Sequence, residues 1–205
     1  MVSPARRSSS LDTRAALLDA AARVFVDRGF HGATVREIAG RAGYTNPVLY
    51  YHFGGKEELY DALIRAAFER FEALLSGALA SASEPLGRLR AIALAYLRFG
   101  HDDPVRLRML YAEFFRPRGG GPDAGFDELR AWATAQIEAV LREGVRAGAF
   151  RIANVALARR IFVALLGGLL VEQARDPQVR ILDESLAETV VQTFLHGIAR
   201  AQEPM

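Results

Sequence analysis

Among the 205 residues there is no cysteine. That absence excludes a disulfide scaffold, a thiolate nucleophile, a cysteine redox switch and every zinc site that needs sulfur. Lysine occurs once, at Lys56, against 25 arginines. Long apolar runs are missing too. The longest, residues 161–171, is eleven residues with two glycines inside it, whereas a membrane-spanning helix needs about 20. The opening MVSPARRSSS has basic residues but no apolar segment, so no export signal is expected. A soluble cytoplasmic protein is the expectation. Sustained period-two alternation, the mark of half-buried strands, is also absent.

What is present is helix-forming. The chain is 51% apolar and 24% charged, enough to bury a core, and its length suits one domain or two small ones. Alanine, leucine, arginine and glutamate dominate, all strong helix formers, so the fold class is all-α with about nine helices. The net charge of +2 is unevenly spread. Residues 1–56 carry +4 and the remainder −2, which points to a polyanionic partner at the N-terminal end.

The first ten residues read as a flexible Ser/Arg/Pro tail. A first helix is expected over 12–28, with Leu17, Leu18, Ala21, Val24 and Phe25 on one face. Gly29 should stop it in the left-handed conformation while Phe30 folds back onto the last turn. Thr34-Val35-Arg36-Glu37 fits a capping box that opens a second helix. Ile38, Ala39 and Ala42 form its buried face, and Gly43 ends it. A short third helix over 46–51 follows, with Thr45 as N-cap and Pro47 in the first turn. After Gly54-Gly55 a long helix runs from Lys56 to about Ala80. Further helices are expected at 84–100, 104–115, 124–147, 153–175 and 183–201, and a loop at 116–125.

Two short helices joined by a glycine-containing turn are the skeleton of a helix-turn-helix, whose second helix can enter a major groove. Residues 34–56 read TVREIAGRAGYTNPVLYYHFGGK. The LYYHF run at 49–53, then Lys56 and Glu58-Leu59, resembles the tetracycline-repressor (TetR) family of bacterial transcription regulators. So do T-V-R-E-I-A-x-R-A-G and the F-x-x-R-G-F that closes the first helix. The likeness covers about the first 60 residues. It implies a helix-turn-helix domain over 11–55 and a helical ligand-binding and dimerisation domain over 56–205.

Leu49 and Phe53 are four apart and should face inward. Tyr50, Tyr51 and His52 cannot all be core on so short a helix, and their polar groups can donate to phosphate. By resemblance Tyr50, His52 and Lys56 are backbone contacts. Base reading falls to Thr45, Asn46, Val48 and Tyr51, with Asn46 suited to adenine and Val48 to a thymine methyl. Arg36 either reaches guanine or makes an intrahelical ion pair. Tyr44 stands where a small apolar residue is expected, as a phosphate contact or bulkier packing. Arg6 and Arg7 are either a minor-groove arm or an idle tail.

The resemblance makes the rest of the chain the effector-binding part of a homodimer, most simply a repressor released from a palindromic operator by a small apolar or amphipathic molecule. The apolar faces at 162–171 (Phe162, Leu165, Leu166, Leu169, Leu170) and 190–198 (Val190, Val191, Phe194, Leu195, Ile198) suit either a dimer interface or an intrachain core. Gly167-Gly168 would permit close helix approach. A ligand cavity would draw on Phe68, Phe71, Phe99, Met109, Leu110, Phe114 and Trp132, with Tyr111, Glu113, Gln136 or Glu172 as polar anchors. No catalytic residue, cofactor or metal is expected. The rival readings are a helical small-molecule-binding protein and a metal hydrolase built on His101 and Asp102. The metal hydrolase lacks H-E-x-x-H; serine-hydrolase chemistry lacks G-x-S-x-G, and the 119–121 glycine run is not followed by the G-K-[ST] of a phosphate loop.

Overall fold

A computed structural model describes residues 4–115, 126–176 and 184–196. Within them are nine α-helices and no strand: α1 Pro4–Gly32, α2 Val35–Arg41, α3 Asn46–Phe53, α4 Lys56–Ala80, α5 Pro85–Asp102, α6 Pro104–Phe114, α7 Phe126–Arg146, α8 Val155–Arg175 and α9 Glu184–His196. Two compact units result. One combines Met1–Glu69 with Val105–Phe126, and the other combines Arg70–Pro104 with Asp127–Met205. The chain therefore divides differently from a simple cut after residue 55. α4 contributes to both units, and α6 belongs with the first.

In the first unit the expected face of α1 is the buried one: Leu17, Leu18, Ala21, Val24 and Phe25 are all interior. The helix begins at Pro4, earlier than its apolar pattern does, since proline fits the first turn without losing a needed donor. Gly29 interrupts it with φ 69°, and Phe30 stacks on Phe25 at 5.9 Å between ring centres. Thr34 caps α2, its hydroxyl accepting from the Glu37 amide at 3.2 Å. Such a cap is worth about 1 kcal/mol. The Glu37 carboxylate meets the Arg28 guanidinium at 3.5 Å.

The α2 stop is chemically complete. Gly43 takes φ 77°. Its amide donates to Gly40 O at 3.2 Å and the next amide, of Tyr44, to Ala39 O at 2.9 Å. These two bonds satisfy carbonyls that the helix end would otherwise leave open. The same device closes α7, where Gly148 has φ 72°. There the Gly148 amide donates to Val145 O at 3.1 Å, and the Ala149 and Phe150 amides share Gly144 O at 2.8 and 3.0 Å.

In the second unit α5 packs against α8 and α9, and α8 against α9. Phe162 of α8 meets Phe194 of α9 at 5.0 Å. Arg88 of α5 pairs with Glu143 of α7 at 2.6 Å, and Arg90 of α5 pairs with Glu188 of α9. Glu138 of α7 receives both Arg142 at 2.6 Å and Arg159 of α8 at 3.2 Å. The hydrogen bond from Arg142 leads the interactions that hold this carboxyl below its usual range.

The apolar face expected on α8 splits in two. Phe162, Leu166 and Leu170 are interior, whereas Leu165 is exposed and Leu169 half-buried. Leu157, Ile161 and Leu165, spaced by four, form an exposed stripe. Among the described residues a Cβ added at Gly168 would meet nothing within 4 Å, so no approach between them requires that glycine. On α9, Val190 and Val191 are buried and Phe194 and Leu195 half-buried. Ile198 lies outside the described residues.

Candidate nucleic-acid interface

α3 has one face for the core and one for solvent. Leu49 and Phe53 are buried, and Phe53 carries the Arg14 guanidinium 5.0 Å over its ring. Asn46, Tyr50 and Tyr51 are exposed, Val48 and His52 half-buried. Tyr51 is 84% exposed and Tyr50 52%. Both present large aromatic rings to solvent. Tyr51 stands edge-on to His52 at 5.2 Å, which limits the positions of both rings.

The start of α3 is equally informative. Thr45 occupies the N-cap with extended backbone, and its hydroxyl makes no capping bond. Thr45 and Asn46 are both exposed. At the other end Gly54 takes φ 88° and its amide donates to Tyr50 O at 2.8 Å.

Arg36 of α2 is exposed and, among the described residues, forms no ion pair. Glu37, next to it in the chain, pairs with Arg28, and Arg41 of the same helix pairs with Asp27 at 2.9 Å. The Tyr44 hydroxyl accepts from Thr13 of α1 at 3.3 Å, which ties the turn to α1. Lys56 turns inward. Its Nζ donates to Phe30 O at 2.9 Å and Ala33 O at 3.1 Å. The motif suggested phosphate for this residue; the carbonyl partners, 26 and 23 positions away, have no signature in the sequence. The side chains of Arg6 and Arg7 lie outside the described residues.

Residues 17–63 match the pattern described as bacterial regulatory proteins, tetR family. Residues 17–63 are thus a tetR-family N-terminal domain. The HTH-type transcriptional activator FasR of Mycolicibacterium smegmatis is 40% identical over 100 residues, 49% of this chain and 46% of FasR. The chain thus spans about half the length of that tetR-family relative. The HTH-type transcriptional repressor KstR2 of the same organism is 29% identical over 155 residues, 73% of each chain. Among solved structures, the TetR family transcriptional regulator PfmR from Thermus thermophilus superimposes with a TM-score of 0.75 at 27% identity. That likeness covers 90% of this chain and 99% of PfmR.

The residues suggested for a ligand cavity have varied surroundings. Phe71 meets Tyr96 at 4.9 Å and Phe99 at 5.3 Å, both edge-on. Phe68 and Met109 are buried, and Leu110, Trp132 and Gln136 are half-buried. Burial pushes the Tyr111 hydroxyl up to about 12, so this group stays a neutral donor across the physiological range. The side chains of Phe114 and Glu113 lie outside the described residues. Glu172 is exposed, and the buried polar residue of α8 is its neighbour Gln173. The Gln173 Oε1 is buried and accepts no hydrogen bond among the described residues. The apolar periodicity of α8 gave no reason to single it out.

His101 and Asp102, the pair behind the hydrolase reading, sit at the end of α5. Arg70 holds Asp102 at 3.4 Å and Asp103 at 3.8 Å, and His101 is exposed. Among the described residues no group of three or more His, Cys, Asp or Glu is placed to hold a metal. Nor is any described helix long and apolar enough to cross a membrane.

Proposed function

We propose that the chain is a ligand-responsive DNA-binding regulator that binds a near-palindromic operator as a homodimer. The observation that carries this reading is the exposed face of α3: Thr45, Asn46, Tyr50 and Tyr51 stand free above a buried Leu49 and Phe53. In the groove, Thr45, Asn46, Val48 and Tyr51 read base edges. Tyr50 and His52 contact phosphate, and Arg36 is available to guanine.

Two half-sites require two copies of α3, which a two-fold dimer supplies about 34 Å apart or a little more. The exposed Leu157, Ile161 and Leu165 stripe on α8 supports such an interface. In it the open space at Gly168 would be filled by the second chain. The effector is a small apolar or amphipathic molecule bound in the helical body, around aromatic residues such as Phe71 and Phe99. It lowers operator affinity by preferring a conformation that the operator does not. We assign repression because the match to a protein named as a repressor extends over 73% of both chains.

The deciding experiment is binding to the DNA upstream of its own gene, against a scrambled duplex, over a salt series. The expected result is tight binding to a near-palindrome, with log K falling by about 0.9 per phosphate contact for each tenfold rise in salt. Equal affinity for both duplexes, from a folded dimer, would overturn the regulator reading for that site. Absence of binding at every salt concentration would remove it altogether.

A further inference from the structure

We propose that Lys56 is a positioning residue that pins the start of α4 to the turn between α1 and α2, and that its ammonium does not contact phosphate. Three observations converge on this. Nζ donates to the carbonyls of Phe30 and Ala33 at 2.9 and 3.1 Å. It lies 4.5 Å over the Phe30 ring. The Phe30 ring is itself fixed, stacked on Phe25 of α1 and edge-on to Tyr60 of α4 at 5.1 Å. Carbonyls at the end of a helical turn carry partial negative charge, so a cation is favoured there. Two of the three ammonium donors are consumed, and the aromatic face adds a cation–π contact.

Residue usage supports the same reading. Arginine fills 25 of the 26 cationic positions, and a phosphate is served at least as well by its forked guanidinium. Two carbonyls and a ring face meeting at one point suit a compact ammonium with three rotatable donors. Since the turn leads directly into α2, its bonds set where α2 and α3 stand relative to the first turn of α4.

The single lysine makes the test direct. Labelling the full chain with 15N-lysine gives one side-chain ammonium signal, observable with and without the upstream duplex. The expected result is a slowly exchanging signal in the free protein, moved upfield by the Phe30 ring. That shift should vanish in Phe30→Leu, and the signal should stay in place when the duplex is added. A signal that is exchange-broadened in the free protein and appears only with DNA would overturn the proposal.

A second arm rests on the operator reading and compares Lys56→Arg with Lys56→Met in DNA binding over the salt series. Both variants should weaken operator binding about tenfold or more at fixed salt while keeping the parent slope. Parent-like affinity in Lys56→Arg, together with a slope shallower by about 0.9 in Lys56→Met, would identify a phosphate contact and overturn the proposal. Parent-like affinity in both would do the same. If the parent fails to distinguish the two duplexes, the operator reading fails, and the spectroscopic arm, which needs no DNA, still decides the position of Lys56.

Discussion

Replacing Gly144 with alanine is expected to lower stability by about 3 kcal/mol, at the upper end of what overpacking costs. The new Cβ would lie 2.0, 2.2 and 2.8 Å from Cδ2, Cε2 and Cγ of Phe150. No heavy atoms tolerate such distances, so the ring or the helix must move. The ring cannot retreat easily, because the Phe150 amide is bonded to the carbonyl of the same glycine at 3.0 Å. Phe150 is also buried, and expelling a buried phenylalanine forfeits roughly 3–5 kcal/mol. For a chain of this size the loss corresponds to a fall in Tm of about 6–12 °C. Thermal or urea unfolding of Gly144→Ala, Phe150→Leu and the double variant would measure it. The smaller side chain should recover part of the loss, so the double variant should be more stable than the two single losses added together. A Tm within about a degree of the parent would show that the ring does not occupy this site.

Tyr51→Ala is expected to have the opposite profile: an intact fold and a large loss of DNA affinity. A side chain this exposed should change stability by no more than about 0.5 kcal/mol. Losing a hydrogen bond to a neutral base edge leaves its covered partner unsatisfied at a cost of about 1–3 kcal/mol, and a two-fold dimer loses it in both half-sites. The operator Kd should therefore rise by a factor of about 30 to 10⁴. Tyr51→Phe separates the hydroxyl from the ring, since it keeps the apolar contact and loses only the hydrogen bond. Leu49→Ala would give no comparable information. It removes a fully buried side chain at a cost of roughly 2–5 kcal/mol, so lost binding would only report a damaged domain. If Tyr51→Ala retains both its Tm and its operator affinity, the exposed face of α3 is not the reading surface.

The parts of the fold that were legible in the sequence are those governed by near neighbours. Gly29 and Phe30, Thr34, Gly43 and the Leu49–Phe53 pair follow from backbone conformation or helical spacing within a few residues, and the structure has each of them as expected. What was not legible depends on partners brought together by the fold. The carbonyls of Phe30 and Ala33 that Lys56 meets leave no trace in residue identity. Gly144 was passed over because a helix glycine looks permissive until the Phe150 ring is placed on it. On α8, periodicity marked a broad apolar face but could not separate Phe162, Leu166 and Leu170, which pack inward, from Leu165, which is exposed, and Leu169, which is half-buried. The exposed side chains of α3 were legible only as a remainder: Tyr50, Tyr51 and His52 had no room in the core of so short a helix.

The discontinuous first unit bears on how the protein can be re-engineered. A chimera joined at residue 55, where the glycine pair looks like a natural seam, would graft a foreign α4 and α6 onto α1–α3. Arg106 of α6 bonds Asp19 of α1 at 2.6 Å, so such a graft would exchange one side of that ion pair and keep the other. Even a cut at residue 69 leaves α6 behind, because the chain passes through α5 before returning to it. Transplanting the operator preference of this protein into another regulator therefore means moving two separate stretches of sequence together. The shortest fragment expected to retain the unit must either run through α6 or carry a designed connection that replaces α5.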